Sequence, residues 1–157
     1  MSLKWGYFKW GLAYWNDSLD LITDRTYSDI INETPKGFYN FTDLNRVESA
    51  VEHLAAKLTE HGYFTTVTVK TDWKANDMPS LLDMSRYLSN VQKCIDCFTS
   101  AGYELPVTMD GINYIDANNI EKTLTDIEQL INYMIAAMRY VGTFYCGHMD
   151  GLRGYCL

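Results

Sequence analysis

The sequence predicts a mainly α fold: a bundle of three long helices with a small two-stranded β element and an N-terminal aromatic arm. Three observations predict it. Three segments carry apolar residues at alternating spacings of three and four, which puts one apolar stripe along one side of a helix. Each of these segments opens on cap-forming residues and closes on a glycine. A chain of 157 residues that is 47% hydrophobic can bury a core without covalent staples.

The elements follow in chain order. Lys4 to Trp15 forms the arm and holds Trp5, Trp10 and Trp15 with Tyr7, Phe8 and Tyr14. Thr23 to Glu33 reads as a short helix capped by Thr23 or Asp24, with Ile30 and Ile31 turned inward. The first long helix carries Leu44, Val47, Val51, Leu54 and Leu58 on its stripe, with Thr42 or Asp43 as N-cap and Gly62 as its stop. Phe64 to Lys70 is rich in β-branched residues and reads as a strand, with Thr143 to Cys146 as its partner. The second long helix carries Leu81, Met84, Leu88, Val91, Ile95 and Phe98, with Asp77 as cap, Pro79 in the first turn and Gly102 after it. The third carries Ile120, Leu124, Ile127, Ile131, Met134 and Met138, capped by Asp116 and closed by Gly142. The resulting division is residues 1–35 for the arm and short helix, 36–146 for the three-helix domain, and 147–157 for a loose tail.

Composition excludes several classes of function. Thirteen basic against twenty acidic side chains give a net charge of −7, which repels phosphate backbones and argues against nucleic acid. No run of apolar residues is long enough for membrane insertion, and no signal peptide is visible, so the chain reads as soluble and not secreted. The four cysteines then read as thiols. Cys94 and Cys97, with Cys146 or His148, invite a metal reading. They lie inside an apolar helical pattern, however, where buried small hydrophobes are the better reading. No phosphate-binding glycine loop and no nucleophile elbow is present, so neither an enzyme nor a cofactor is expected.

The chain also echoes itself. Asn40-Phe41-Thr42-Asp43-Leu44-Asn45-Arg46-Val47-Glu48 resembles Asn113-Tyr114-Ile115-Asp116-Ala117-Asn118-Asn119-Ile120-Glu121, and a weaker copy starts at Asp83. Asp43, Asn45 and Glu48, like Asp116, Asn118 and Glu121, are expected around helix N-termini, where they satisfy orphan N–H groups and oppose the dipole. Arg46 and Arg86 stand near the same ends, where positive charge is unfavourable, so each is expected to have a specific acidic or carbonyl partner and to act as a tie between helices.

The string Lys36 to Glu48, the later Lys70-Thr71-Asp72-Trp73, the run from Asp77 through Tyr87-Leu88-Ser89-Asn90-Val91, and Leu105 to Glu121 resemble elements of structural proteins in prophages and phages of Gram-positive bacteria. Leu21 to Thr26 matches an earlier element of the same kind, so the resemblance covers roughly residues 20 to 145. It implies a non-enzymatic virion part of the tail or baseplate, made in the bacterial cytoplasm and then carried in the phage particle. Its partners would be neighbouring virion proteins and copies of itself. Trp5, Trp10, Trp15 and Trp73 are candidate interface anchors. The alternatives are a carbohydrate-binding module that stacks sugars on those indoles, and a small metal-dependent enzyme built on Cys94, Cys97 and Cys146.

Overall fold

A computed structural model describes residues 19–98 and 105–141, with side chains up to residue 137. The fold is mainly helical: α1 spans Tyr27–Ile31, α2 Phe41–Glu60, α3 Leu81–Asp96 and α4 Tyr114–Val141, with a 3-10 turn at Pro35–Gly37. The long helices α2, α3 and α4 pack against one another pairwise. The three apolar stripes meet in one core, except that Leu81, at the first position of α3, is 84% exposed, and the Met138 side chain lies outside the described residues. Val47, Leu54 and Leu58 from α2, Val91 and Cys94 from α3, and Ile120, Leu124 and Ile131 from α4 are fully buried. Each such aliphatic side chain contributes about 1.5–3 kcal/mol over its exposed state.

The caps sit two or three residues from where the sequence suggests, earlier for α2 and α4 and later for α1 and α3. Asn40, not Thr42 or Asp43, caps α2: its side chain accepts from the Thr42 N–H while Asp43 accepts from the Asn40 N–H. Ser80, not Asp77, caps α3 and exchanges the same bonds with Asp83. Asn113, not Asp116, stands before α4: its side-chain oxygen accepts from the Ile115 and Asp116 N–H groups, and Asp116 accepts from the Asn113 N–H. The aspartate is thus the third residue of a capping box and not the cap. Thr26, not Thr23 or Asp24, caps α1 with Asp29 as its reciprocal partner. Ile30 is half-buried, but Ile31 is exposed, because five residues make too little helix to turn both inward.

Gly62 stops α2 as expected, with φ +92°. The Tyr63 N–H donates to the Leu58 carbonyl and the Gly62 N–H to the Thr59 carbonyl, the pair of bonds of a Schellman motif. The Gly102 and Gly142 stops lie outside the described residues.

The predicted β element is the main correction. Phe64 to Lys70 is extended, and its side chains alternate between exposed and half-buried, but it pairs with no strand among the described residues. Its intended partner, Thr143 to Cys146, lies outside them. The Thr68 N–H donates to Asn90 Oδ1 and its carbonyl accepts from Asn90 Nδ2 and Arg86, while Lys93 donates to the Thr66 carbonyl. Side chains of α3 therefore supply the hydrogen bonds that a neighbouring strand would supply.

These contacts set the direction of the elements. Along this strap, residues 65, 66 and 68 meet Cys97, Lys93 and Asn90 in descending order, and residues 70 and 73 meet Glu48 and Asn45 likewise. The strap runs antiparallel to both α2 and α3, so those helices are parallel. Residues 19–25 form a second strap. Leu19, Ile22 and Arg25 meet Glu128, Glu121 and Asn118, antiparallel to α4. Arg46–Glu121 and Lys57–Glu128 join α2 and α4 in the same order, which makes them parallel as well. The starts of all three helices therefore gather at one end of the molecule.

Candidate functional site

The residues singled out in the echoed segments build two buried clamps. Asn118 and Glu121 lie one turn apart on α4 and face the strap 19–25. Asn118 accepts from the Arg25 N–H at 3.0 Å and donates to its carbonyl at 2.9 Å, while Glu121 accepts from the Ile22 N–H at 2.5 Å. Asn45 and Glu48 do the same on α2 for the other strap. Asn45 accepts from the Trp73 N–H at 2.8 Å and donates to its carbonyl at 2.9 Å, and Glu48 accepts from the Lys70 N–H at 2.5 Å. The helical spacing of three puts amide and carboxylate on one face, and the strap meets them three residues apart in the opposite direction. The internal echo thus specifies helix-to-strap recognition.

The carboxylates also join the helices. Glu121 is fully buried and receives Arg25 at 2.6 Å and Arg46 at 2.9 and 3.1 Å. Asp43, also buried, receives Arg25 at 2.9 Å and Arg46 as well. Two guanidiniums therefore face two buried carboxylates, Arg25 buried with them and Arg46 half-buried at the edge, an arrangement in which arginine is favoured. Arg25 also donates to the Ile22 carbonyl at 2.7 Å and lies over the Tyr39 ring. Burial alone would lower the Arg46 guanidinium, but Glu121 and Asp43 outweigh it and hold its pKa above the ordinary value. The second carboxylate, Glu48, receives Arg86 at 2.7 and 2.9 Å and the Trp73 indole N–H at 3.1 Å. Arg46 and Arg86 hold the same place relative to their caps, Asn40 and Ser80. Arg46 ties α2 to α4, and Arg86 ties α3 to α2. Lys57 and Glu128 make a third tie between α2 and α4 at 3.3 Å.

Several expectations about these residues change. Asn45, Asn118, Glu48 and Glu121 do not cap or offset a helix dipole; they lie past the first hydrogen-bonded groups and hold other segments. Trp73 is not an exposed anchor: it is 4% exposed, with its indole N–H committed to Glu48, so it has no face free for a sugar or a partner. Trp5, Trp10 and Trp15 lie outside the described residues. Cys94 is buried in the core, and desolvation pushes its thiol up to about 12, while Cys97 is half-buried beside Thr65. Cys146 and His148 lie outside the described residues. Among the described residues no three His, Cys, Asp or Glu side chains come together as a metal site. Nor is any described helix long and apolar enough to cross a membrane.

Arg25 was missed in the sequence. Its only local signal is its place in the run Leu21 to Thr26, because its partners Asp43 and Glu121 come from two different helices.

The helix starts surround a cleft of about 840 Å³, lined by Phe41, Leu44, Met84, Leu88, Met109 and Ile112 among others. Around it Met78, Leu81, Leu82 and Val107 are 95%, 84%, 82% and 96% exposed. The helix ends that open toward the cleft are already satisfied by their capping boxes, so the cleft offers apolar surface and few free N–H groups. The chain matches no protein-family model, no curated protein and no solved structure.

Proposed function

We propose that this chain is a structural protein of a phage or prophage particle, part of the tail or baseplate, and that it works by protein–protein contact without catalysis. The observation that carries the reading is the apolar end of the bundle. Leu81 and Val107 line the cleft there and Met78 and Leu82 adjoin its lining residues in the chain, each of the four more than four-fifths exposed. Large side chains clustered in water at one end of a domain mark a surface that another protein covers. The ionisable residues of the echoed segments support the same reading. Asp43, Glu48, Glu121, Arg46 and Arg86 are spent on holding helices and straps, which leaves no acid–base pair among them for chemistry. The net charge of −7 directs contacts toward proteins and away from nucleic acid. The partners are neighbouring virion proteins and further copies of the chain.

The test is particle composition. Particles purified from an induced host are expected to contain this chain at a fixed ratio to the other tail proteins, by quantitative mass spectrometry. Leu82→Glu with Val107→Glu is expected to leave the melting temperature unchanged, since both side chains are in water, and to reduce incorporation. A chain absent from purified particles refutes the reading.

A further inference from the structure

The strap from Thr65 to Val69 has two backbone edges, and the described residues bond only one of them. The groups that bond to α2 and α3 are those of even-numbered residues: the Thr66 carbonyl, both groups of Thr68 and the Lys70 N–H. In an extended chain, successive N–H and C=O groups point to opposite sides. No described residue bonds the N–H or C=O groups of Thr65, Val67 or Val69, which line the other edge. Phe64 to Val67 border a cleft of about 550 Å³, whose other walls are Ala55, Ala56 and Thr59 of α2 with Glu52. The Thr59 hydroxyl is turned back onto the Ala55 carbonyl, so the α2 wall is small and largely apolar.

We propose that this edge takes up an extended segment of a neighbouring polypeptide as an added β-strand, lying in the cleft over Ala55 and Ala56. The occupant follows from the chemistry. A row of alternating donors and acceptors at strand spacing is complementary to another extended backbone and to little else. The edge also lacks the usual protection against such pairing. Tyr63 to Val69 contains no proline and no charge. The one flanking charge, Lys70, is drawn aside: its ammonium lies 3.7 Å from the centre of the Trp73 ring and 3.3 Å from Asp77. Phe64, 91% exposed, offers a cross-strand surface on the outer face. The cleft over α2 gives the added strand a seat on this chain, so the occupant is not a strap already seated on its own helices but an arm free of its own domain. Its inward side chains must be small or β-branched to clear Ala55 and Ala56, and a basic residue at one end would meet Glu52, which has no ion-pair partner among the described residues.

The inference rests on the assembly reading for its use in the particle, but its test does not. The full chain is titrated with a blocked hexapeptide of alternating threonine and valine ending in lysine, and with the same peptide N-methylated at alternate amides. Hydrogen exchange is read at Thr65, Val67 and Val69. The expected result is saturable binding of the first peptide that slows exchange at these three amides, with none by the N-methylated peptide. Ala56→Trp, which fills the cleft from an exposed helix position, and Val67→Pro, which removes one edge donor, are each expected to weaken binding at least tenfold. Leu82→Glu at the apolar end is expected to leave it unchanged. The inference is overturned if the three amides are already protected in the dilute free protein, if both peptides bind alike, if Ala56→Trp binds normally, or if nothing binds up to about a millimolar.

Discussion

Replacing Glu121 by glutamine tests the central clamp most directly. The side chain keeps its shape but loses its charge, and it can no longer accept from every donor it now serves: Arg25, both contacts from Arg46, and the Ile22 N–H. Glu121 is 0% exposed, so no water replaces what is lost. Two guanidiniums would then share Asp43 alone. Removing one partner of a buried ion pair costs about 3–5 kcal/mol, because the remaining charge is left desolvated. With a urea m-value of about 2 kcal/mol/M, the unfolding midpoint should fall by about 1.5–2.5 M. The strap 19–25 should also loosen before the core does, so exchange at the Ile22 and Arg25 amides should rise more than at Leu124. The double variant Arg25→Met with Glu121→Leu should recover only part of the loss, since it removes the buried Arg25 charge but still leaves Arg46 and the Ile22 N–H without this acceptor. A loss below about 1 kcal/mol for Glu121→Gln, with unchanged exchange in the strap, would refute the claim that this carboxylate holds the strap to the bundle.

Three further outcomes are expected. Asn45→Ala and Asn118→Ala each delete a two-bond grip on a strap backbone and should each cost about 1–3 kcal/mol by chemical denaturation, with the exchange increase confined to residues near Trp73 for the first and near Arg25 for the second. Gly37→Ala should destabilise by more than an ordinary turn substitution, because a Cβ there meets the Asp29 carbonyl and the Ile30 nitrogen at 2.8 Å; a melting temperature equal to the parent's would contradict the packing of α1 on the 3-10 turn. Alkali should unfold the protein. Burial raises the Tyr39 and Tyr87 hydroxyls, which bond each other, and the Cys94 thiol, so in the folded state all three keep protons that the unfolded chain releases from about pH 9–10 upward. Their stabilisation is complete below that range and falls above it by about 1.4 kcal/mol per pH unit for each group. Phenolate absorbance should show these two tyrosines ionising only as the helical signal is lost.

The sequence by itself determined what is decided within one or two turns of the chain. The stripes through Val47 and Leu54, through Val91, and through Leu124 and Ile127 were legible because the helical period repeats them on one face, and the Gly62 stop because a positive φ suits glycine there. The cap regions are legible to within two or three residues; for α2 and α4 the difference arises because aspartate serves equally as a cap or as its reciprocal partner, and only the backbone tells which. The helix-joining role expected of Arg46 and Arg86 rested on charge at the wrong end of a dipole, a local signal, but their partners Glu121 and Glu48 are on other helices. Tertiary structure alone decided those partners, the burial of Trp73 and the part played by Arg25. Desolvation, not spacing, turns a carboxylate from a surface charge into a clamp, and desolvation exists only once the helices have met. The same holds for Phe64 to Lys70. Its β-branched run encodes an extended backbone, but whether a strand or a row of helix side chains satisfies that backbone depends on what the fold brings alongside.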